Sequence, residues 1–420
     1  MQNADLIVVG GGISGLALAW KASQAGKQTL VLERDSRIGG CIHTHRGPNG
    51  YWFEMGAHTA YNSYGAFLDI ALGSGLRDSI IPRGPARAHF GLLQGDRVVW
   101  LTPPKVLIQL DWIEAALHLP LGLFHQRSGQ TLGSYYSRLV GPRNYRRVLS
   151  PFLSAVPSQN ADGFPLQGPG SLFKKRSRRG ELARSLGFEG GLQLVCLAAA
   201  RAPGVTVETG VAAVRVSPGP AGFVVATSDG LKLEAPAVGV AAPPEAAAAL
   251  LLEDYRELAE AIQRVKTVEV ESLGVVLPRE RCWMPECAFV VPVAPSTGSG
   301  QTPFFSAVTR DPFPDPRLRA FAFHFRAGLA REAKLRRVSE VLRVPLDEVS
   351  EVVERRVALP APALGHAEIL AEIDRRLSGK KLALTGNYFS GMAIEDCVLR
   401  SNSEWARIAA TEPALSRPRS

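Results

Sequence analysis

This chain is poor in features that would staple it together or bind a metal. Its five cysteines, Cys41, Cys196, Cys282, Cys287 and Cys397, are scattered over 420 residues. No C-x-x-C occurs, and Cys282 and Cys287 lack the partners of a zinc site. All five read as reduced thiols of a cytosol-facing protein, and no metal site is expected. No run of about 18 uncharged apolar residues occurs, so no spanning helix is expected. An apolar strand pattern starts almost at the first residue, which leaves no room for a cleavable signal. There is no internal repeat, no zinc-finger spacing and no basic repeat, and the net charge of +9 is spread along the chain. That pattern argues against nucleic acid and for an anionic lipid surface or an anionic substrate. Apolar content of 46% and charged content of 21% are ordinary for a globular protein, and the length suggests two or three domains.

What the chain does have is concentrated near its start, in ADLIVVGGGISGLALAWKASQAGKQTLVLERDSRIGG. A β-branched run, Leu6 to Val9, enters a glycine turn. A helical stretch follows, then a second apolar run, Thr29 to Leu32, ending on Glu33. This is the βαβ dinucleotide fingerprint in full context. Gly10 makes the turn, Gly12 lets a pyrophosphate approach the backbone, and Gly15 lets the helix lie close to the strands. The helix start offers unpaired N–H groups and a positive dipole end. Glu33, 18 residues after Gly15, is placed to accept hydrogen bonds from an adenosine ribose and disfavours a 2′-phosphate. Next comes Arg34-Asp35-Ser36-Arg37-Ile38-Gly39-Gly40. A basic residue followed by a glycine pair resembles the extension of FAD enzymes of the glutathione-reductase type, so the expected cofactor is FAD.

Farther along, Pro48-Asn49-Gly50 reads as a hairpin turn, and Gly56 offers another close backbone approach. Residues 86–101 read as a hairpin about Gln94-Gly95-Asp96. From Pro103 an apolar helix-forming segment carries Trp112, and Arg127, Arg138, Arg143, Arg146 and Arg147 follow. Apolar helices flanked by cations suit a bilayer interface or a solvated basic face. Gly190-Gly191 precedes another helix, and strands near Val205–Val207 and Val211–Val216 lead to a hairpin and a strand before Pro243-Pro244. Pro295 to Thr302 reads as a loop. Near the other end, Leu382 to Gly386 is a short strand meeting glycine, and Met392-Ala393-Ile394 opens a helix whose dipole would favour a reduced, anionic flavin.

The segments GGGISG, RIGGCIHT, RGPNGYWFEMG, SPFLSAVPSQNADGFP, SLFKKR, LGFEGGLQ and TGNYFSGMAIEDC occur in the order seen in protoporphyrinogen oxidases, a family of the flavin-dependent amine oxidase superfamily. The resemblance covers most of the chain and is weakest between about residues 245 and 380. It implies an α/β protein: a Rossmann-type FAD-binding domain, an α+β substrate domain and a helical membrane-associating subdomain. The FAD-binding domain would come from residues 1–85, 186–245 and 366–420, the helical membrane-associating and substrate region from 86–185, and the substrate domain from 246–365. The FAD contacts it implies fall on Gly10, Gly11, Gly12, Ile13, Ser14, Gly15, Glu33, Arg34, Gly39, Gly40, Cys41, Gly56, Ala57, His58, Thr59, Val211, Gly386, Met392, Ala393 and Ile394. Where the family usually has Pro and then an arginine after Gly56, this chain has Ala57 and His58. Arg87 and His89 are the nearest candidates for a substrate-carboxylate anchor.

The implied reaction is oxidation of a porphyrinogen, with protoporphyrinogen IX first in line, to a porphyrin in tetrapyrrole (heme) biosynthesis. Three rounds of hydride loss to flavin would complete it, with oxygen or a quinone as acceptor. The implied location is cytoplasmic, peripheral on the membrane face. Aromatisation drives such a reaction, so no catalytic side chain is singled out. Amine oxidation and isoprenoid desaturation remain open, as does a non-catalytic flavoprotein partner. Tyr388 and Phe389 sit in the C-terminal motif near which amine oxidases place an aromatic cage, but not at the usual spacing.

Overall fold

Apolar runs punctuated by glycine build a five-stranded parallel sheet. The computed structural model describes residues 4–123, 126–293 and 302–411. The sheet order is Val205–Thr209, Thr29–Glu33, Leu6–Val9, Ala237–Val240, Leu382–Leu384. Every neighbouring pair is parallel, so each link needs a crossover. The first crossover is the helix Ile13–Ser23, whose Leu16, Ala17, Leu18 and Ala19 are all fully buried. A helix apolar on every face belongs in a core. Here it lies between the sheet and the helix Ile394–Ala409. Three distant stretches of chain therefore complete one sheet.

A seven-stranded sheet forms the second layer. Its order is Glu351–Pro360, Thr267–Pro278, Leu318–Arg326, Phe304–Thr309, Phe289–Pro292, Phe90–Gln94, Arg97–Leu101. All pairs are antiparallel except Phe289–Pro292 with Phe90–Gln94. The strand Leu318–Arg326 reads LRAFAFHFR, and its alternation divides the faces. Phe321, Phe323 and Phe325 pack toward the helix Arg331–Leu342, whereas Ala320 and Ala322 face Tyr51, Phe53 and Met55. The small residues leave room on that second face, which also carries His324. The hairpin about Gly95 is present as Phe90–Gln94 and Arg97–Leu101, and it closes one edge of this sheet.

The short hairpin Thr44–Arg46 and Trp52–Glu54 links the two layers. Beyond Pro103 the apolar segment is not one helix. Pro103–Val106 and the single turn Leu107–Gln109 precede Trp112–Leu123. The break falls at Asp111, whose Oδ1 accepts the N–H groups of Ile113 and Glu114, both at 3.1 Å. That is N-cap chemistry, and it restarts the helix. Among the described residues no helix is long and apolar enough to cross a membrane. Of the stretch read as a loop, residues 295–301 lie outside the described residues.

Candidate functional site

At the carboxyl end of Leu6–Val9 the chain turns through Gly10 into the helix Ile13–Ser23. The cap, Gly12, supplies no side-chain hydrogen bond to the helix start. Helix starts left uncapped inside a protein call for an external acceptor. Gly15 is obligatory, because a Cβ there would sit 2.0 Å from the Gly10 carbonyl oxygen. The glycine pair Gly39-Gly40 lies against this turn. The Gly39 N–H donates to the Gly11 carbonyl at 2.8 Å, and a Cβ on Gly40 would sit 2.9 Å from the Gly12 Cα at φ +54°. Glu33 stands at the tip of its strand, with Oε2 accepting the Gly11 N–H at 2.7 Å and Oε1 the Asp35 N–H at 2.9 Å. Its remaining lone pairs are free to receive hydroxyls. Val211 joins here, its N–H donating to the Glu33 carbonyl at 3.0 Å.

Two guanidiniums set the shape of the glycine-pair turn. Arg37 donates to the carbonyls of Ile38, Gly40 and Ile42 at 2.9–3.1 Å. Arg355, from the far sheet, donates to the Cys41 carbonyl at 3.2 Å and to that of Gly40. Burial pushes the Cys41 thiol up, against the pull of Arg355 and Arg37. Gly56 packs on the same turn, where a Cβ would meet the Cys41 carbonyl at 2.1 Å.

The C-terminal arm closes the assembly. Ile394–Ala409 also starts without a side-chain cap, and it packs along Ile13–Ser23, with Ser401 donating to the Ser14 carbonyl at 2.7 Å. The loop before it is pinned from the SLFKKR segment. Lys174 donates to the Ser390 carbonyl at 2.5 Å and pairs with Asp396 at 3.3 Å, and Arg176 pairs with Asp396 at 2.8 Å. The Asn387 amide lies 3.9 Å from Cys41 Sγ, so this loop reaches the glycine pair. Two unpartnered helix starts and a run of glycines thus converge between the sheets. An extended dinucleotide with a central pyrophosphate fits this donor set.

Beyond Gly56, His58 Nε2 lies 2.9 Å from His324 Nε2, and His324 Nδ1 lies 2.8 Å from Ser272 Oγ. Burial holds both rings neutral. It drives His58 well below its usual range, helped by His324 and Arg83, and His324 to about 4, helped by Arg355. Beside them opens a small, shallow cleft lined by Trp52, Phe53, Glu54, His58, Arg83, Arg310 and Phe313, among others. Burial raises Glu54 to about 8. It outweighs the Leu192 N–H and the Thr44 hydroxyl that the carboxylate accepts at 2.7 and 2.9 Å.

Two expected substrate contacts sit elsewhere. Arg87 and His89 are both exposed and neither lines the cleft. Arg87 donates back to the carbonyls of Arg83 and Gly84 at 2.7 and 3.2 Å, closing its own short turn. Arg34 is also exposed, beside Asp35 at 3.6 Å. Tyr388 and Phe389 turn into the core, 1% and 2% exposed and 4.6 Å apart. They pack with Val238, Leu382 and Leu384, so they build no open aromatic cage.

Sequence reasoning missed His324, Ser272, Arg355, Arg83 and Arg310. All but Arg83 come from the seven-stranded sheet and its turns, where only strand pairing brings them to the site. One signal was available in Glu351–Pro360. Its outward alternation places Arg355 and Arg356 on opposite faces.

Residues 13–399 match the flavin containing amine oxidoreductase family. Among curated relatives, coproporphyrinogen III oxidase of Propionibacterium freudenreichii is 28% identical over 201 residues, covering 44% of this chain and 38% of that protein. Chloroplastic protoporphyrinogen oxidase 1 of Arabidopsis thaliana is 30% identical over 169 residues, covering 37% of this chain and 30% of that protein. The chain thus aligns with well under half the length of these relatives. A solved structure from an Exiguobacterium species, assigned provisionally as a protoporphyrinogen oxidase, superposes with a TM-score of 0.79 at 19% identity, over 98% of this chain and 100% of that one.

Proposed function

The chain belongs to the flavin containing amine oxidoreductases, an oxidoreductase family with FAD as cofactor, and we propose that its substrate is a porphyrinogen, which it oxidises to the porphyrin. Protoporphyrinogen IX and coproporphyrinogen III are the candidates, the second because of the Propionibacterium relative. The observation that carries this choice over amine oxidation is the burial of Tyr388 and Phe389, which leaves no cage for an ammonium group at the C-terminal loop. In this reading Gly10 through Gly15 and Gly39 to Cys41 hold the pyrophosphate and ribityl chain, Glu33 and Val211 the adenosine end, and Gly56, Ala57, His58, Thr59, Gly386 and Met392 to Ile394 the ring end.

When bound, the flavin supplies the two-electron acceptor for hydride from a methylene bridge carbon. The chain's own part is orientation and dryness. His58 presents a neutral imidazole beside the cleft, and the burial that keeps it neutral also resists proton uptake, so its part is to position rather than to act as a base. Oxygen or a quinone would reoxidise the flavin.

We also place a membrane surface against the segment from Leu107 to Leu119. Leu107, Ile108, Trp112, Ile113, Leu117 and Leu119 are 47–76% exposed, and arginines follow in sequence. An apolar face with flanking cations suits the headgroup boundary of the cytoplasmic leaflet.

The deciding experiment is anaerobic mixing of the flavin-loaded protein with each porphyrinogen. Bleaching of the flavin band, then porphyrin fluorescence after air is admitted, is expected. Bleaching by amines or polyenes alone would overturn the assignment.

A further inference from the structure

We propose that Arg355 is the electrostatic partner of the reduced flavin, a guanidinium delivered from the seven-stranded sheet to the ring end of the cofactor site, where it sets the redox balance of the bound FAD. This role rests on the placement of the ring end given above and is independent of which substrate is oxidised.

Strand register brings the residue there. Arg355 lies opposite Ser272 on the neighbouring strand, and Ser272 lies opposite His324 on the next. Residues paired in this way share a face. The three therefore form a polar row across three strands, on the side of the sheet that His58 meets. From the end of that row Arg355 crosses to the nucleotide layer and donates to the carbonyls of Gly40 and Cys41. A Cβ on Gly56 would sit 3.2 Å from its Nη1. Gly12, at the first helix start, touches the glycine pair at Gly40, and Arg355 extends from there toward Gly56. Its field reaches back along the row as well: burial lowers His324 to about 4, and Arg355 adds to the fall.

The charge it brings is unbalanced. A guanidinium has five N–H groups to donate. Arg355 uses two, both on neutral carbonyls, and among the described residues no carboxylate lies within salt-bridge distance of it. Burial pulls the group below its ordinary range, with Cys41 and Asp35 opposing and Arg37 adding to the fall. Elsewhere the fold pairs such a group: Arg319 is held by both oxygens of Asp311. A buried cation without an anion is costly, and a neutral oxidised flavin ring supplies none. Hydride arriving at flavin N5 does. It carries two electrons and one proton, so the ring takes on one negative charge, spread over N1 and the C2 oxygen. Charge that exists only after reduction is stabilised by Arg355 only after reduction. The dipole of Ile394–Ala409 acts with the same sign, and Arg355 adds a full charge from the opposite layer.

The midpoint potential of bound FAD reads the ratio of the affinities for reduced and oxidised flavin. It is blind to anything Arg355 does equally for both states, such as shaping the turn or balancing the pyrophosphate. The test uses the full-length, flavin-loaded protein without substrate. One arm is a potential titration against a reference dye. The other is titration with sulfite, which adds through sulfur at N5 and leaves the same negative charge on the ring. R355Q and R355M, two neutral variants, are expected to shift the affinity ratio ten- to hundred-fold against the reduced form. At about 30 mV per tenfold for two electrons, that lowers the potential by about 30–60 mV. Sulfite should bind more weakly by a similar factor, and R355K should retain most of both properties. Either neutral variant suffices, and both readouts follow bound flavin, so partial occupancy does not obscure them. Neutral variants with wild-type potential and sulfite affinity, even if they hold less FAD, overturn the role and leave the cradle reading intact. Equal losses in R355K also overturn it, because they would follow turn geometry and not charge. A wild type that takes up no flavin overturns both.

Discussion

Replacing Glu54 by Gln should stabilise this protein, and by more as the pH rises. The carboxyl is 7% exposed and burial raises it to about 8 from an ordinary 4.5. A raised carboxyl binds its proton more tightly in the folded state. Its contribution is therefore fully present below about pH 4.5 and is lost as the pH climbs through 8. At 1.36 kcal/mol per pH unit, the whole interval amounts to about 5 kcal/mol, of which about 3 kcal/mol has gone by pH 7. Glutamine keeps an oxygen for the Leu192 N–H and an amide to meet the Thr44 hydroxyl, without a proton to lose. The two proteins should have similar urea midpoints at pH 5. At pH 7 the variant should be ahead by about 3 kcal/mol, less up to about 1 kcal/mol for imperfect hydrogen bonds. The assay is urea unfolding by tryptophan fluorescence at pH 5, 7 and 8.5, at one saturating FAD concentration so that ligand linkage is constant. A gap that stays constant with pH, or a variant weaker at pH 8.5, would refute the reasoning.

Four other outcomes are expected. Gly40→Val places a Cβ 2.9 Å from the Gly12 Cα at positive φ, at a cost of about 2–4 kcal/mol, and should yield nearly colourless protein; a fully yellow preparation would count against the cradle. His324, held at about 4 against an ordinary 6.5, contributes stability above pH 6.5 that drains away as the pH falls toward 4, about 3 kcal/mol in all; His324→Asn should flatten that acid limb in the same urea series. Ile113→Asp, at a residue 76% exposed, should weaken flotation with anionic vesicles by about 2 kcal/mol, and unchanged flotation would remove the bilayer from that face. Asp396→Asn strips the partner from Lys174 and Arg176; FAD affinity should fall about tenfold or more, as read by equilibrium dialysis.

The parts of this molecule that could be read from its residues are those governed by neighbours in the chain. The strand, turn and helix from Leu6 to Ser23 follow from periodicity and glycine spacing, and the hairpin at Gly95 from turn chemistry. The apolar segment after Pro103 was legible as helical, but not its interruption, which depends on a single Asp111 side chain acting as a cap. The site divides in the same way. The glycines and Glu33 declare themselves by spacing. His58 meets His324 across 266 positions, and Arg355 reaches Gly40 across 315. No local pattern marks such pairs, because they depend on the register of a sheet whose strands are joined by long connections. Arg87 and Arg83 illustrate the finer limit. They lie one turn apart, and which of them faces inward is decided by the short turn that Arg87 itself closes.

The strand order of the parallel sheet also bears on biosynthesis. Leu382–Leu384 and the helix behind it are translated some 370 residues after the glycine turn that they complete. While the ribosome is still elongating, the nascent chain has one wall of the nucleotide groove exposed to solvent, with its apolar crossover helix lacking its later partner. Completion of the groove is thus expected to wait until Leu382–Leu384 and that helix have emerged and docked, and until then the exposed apolar helix is a natural client for chaperones.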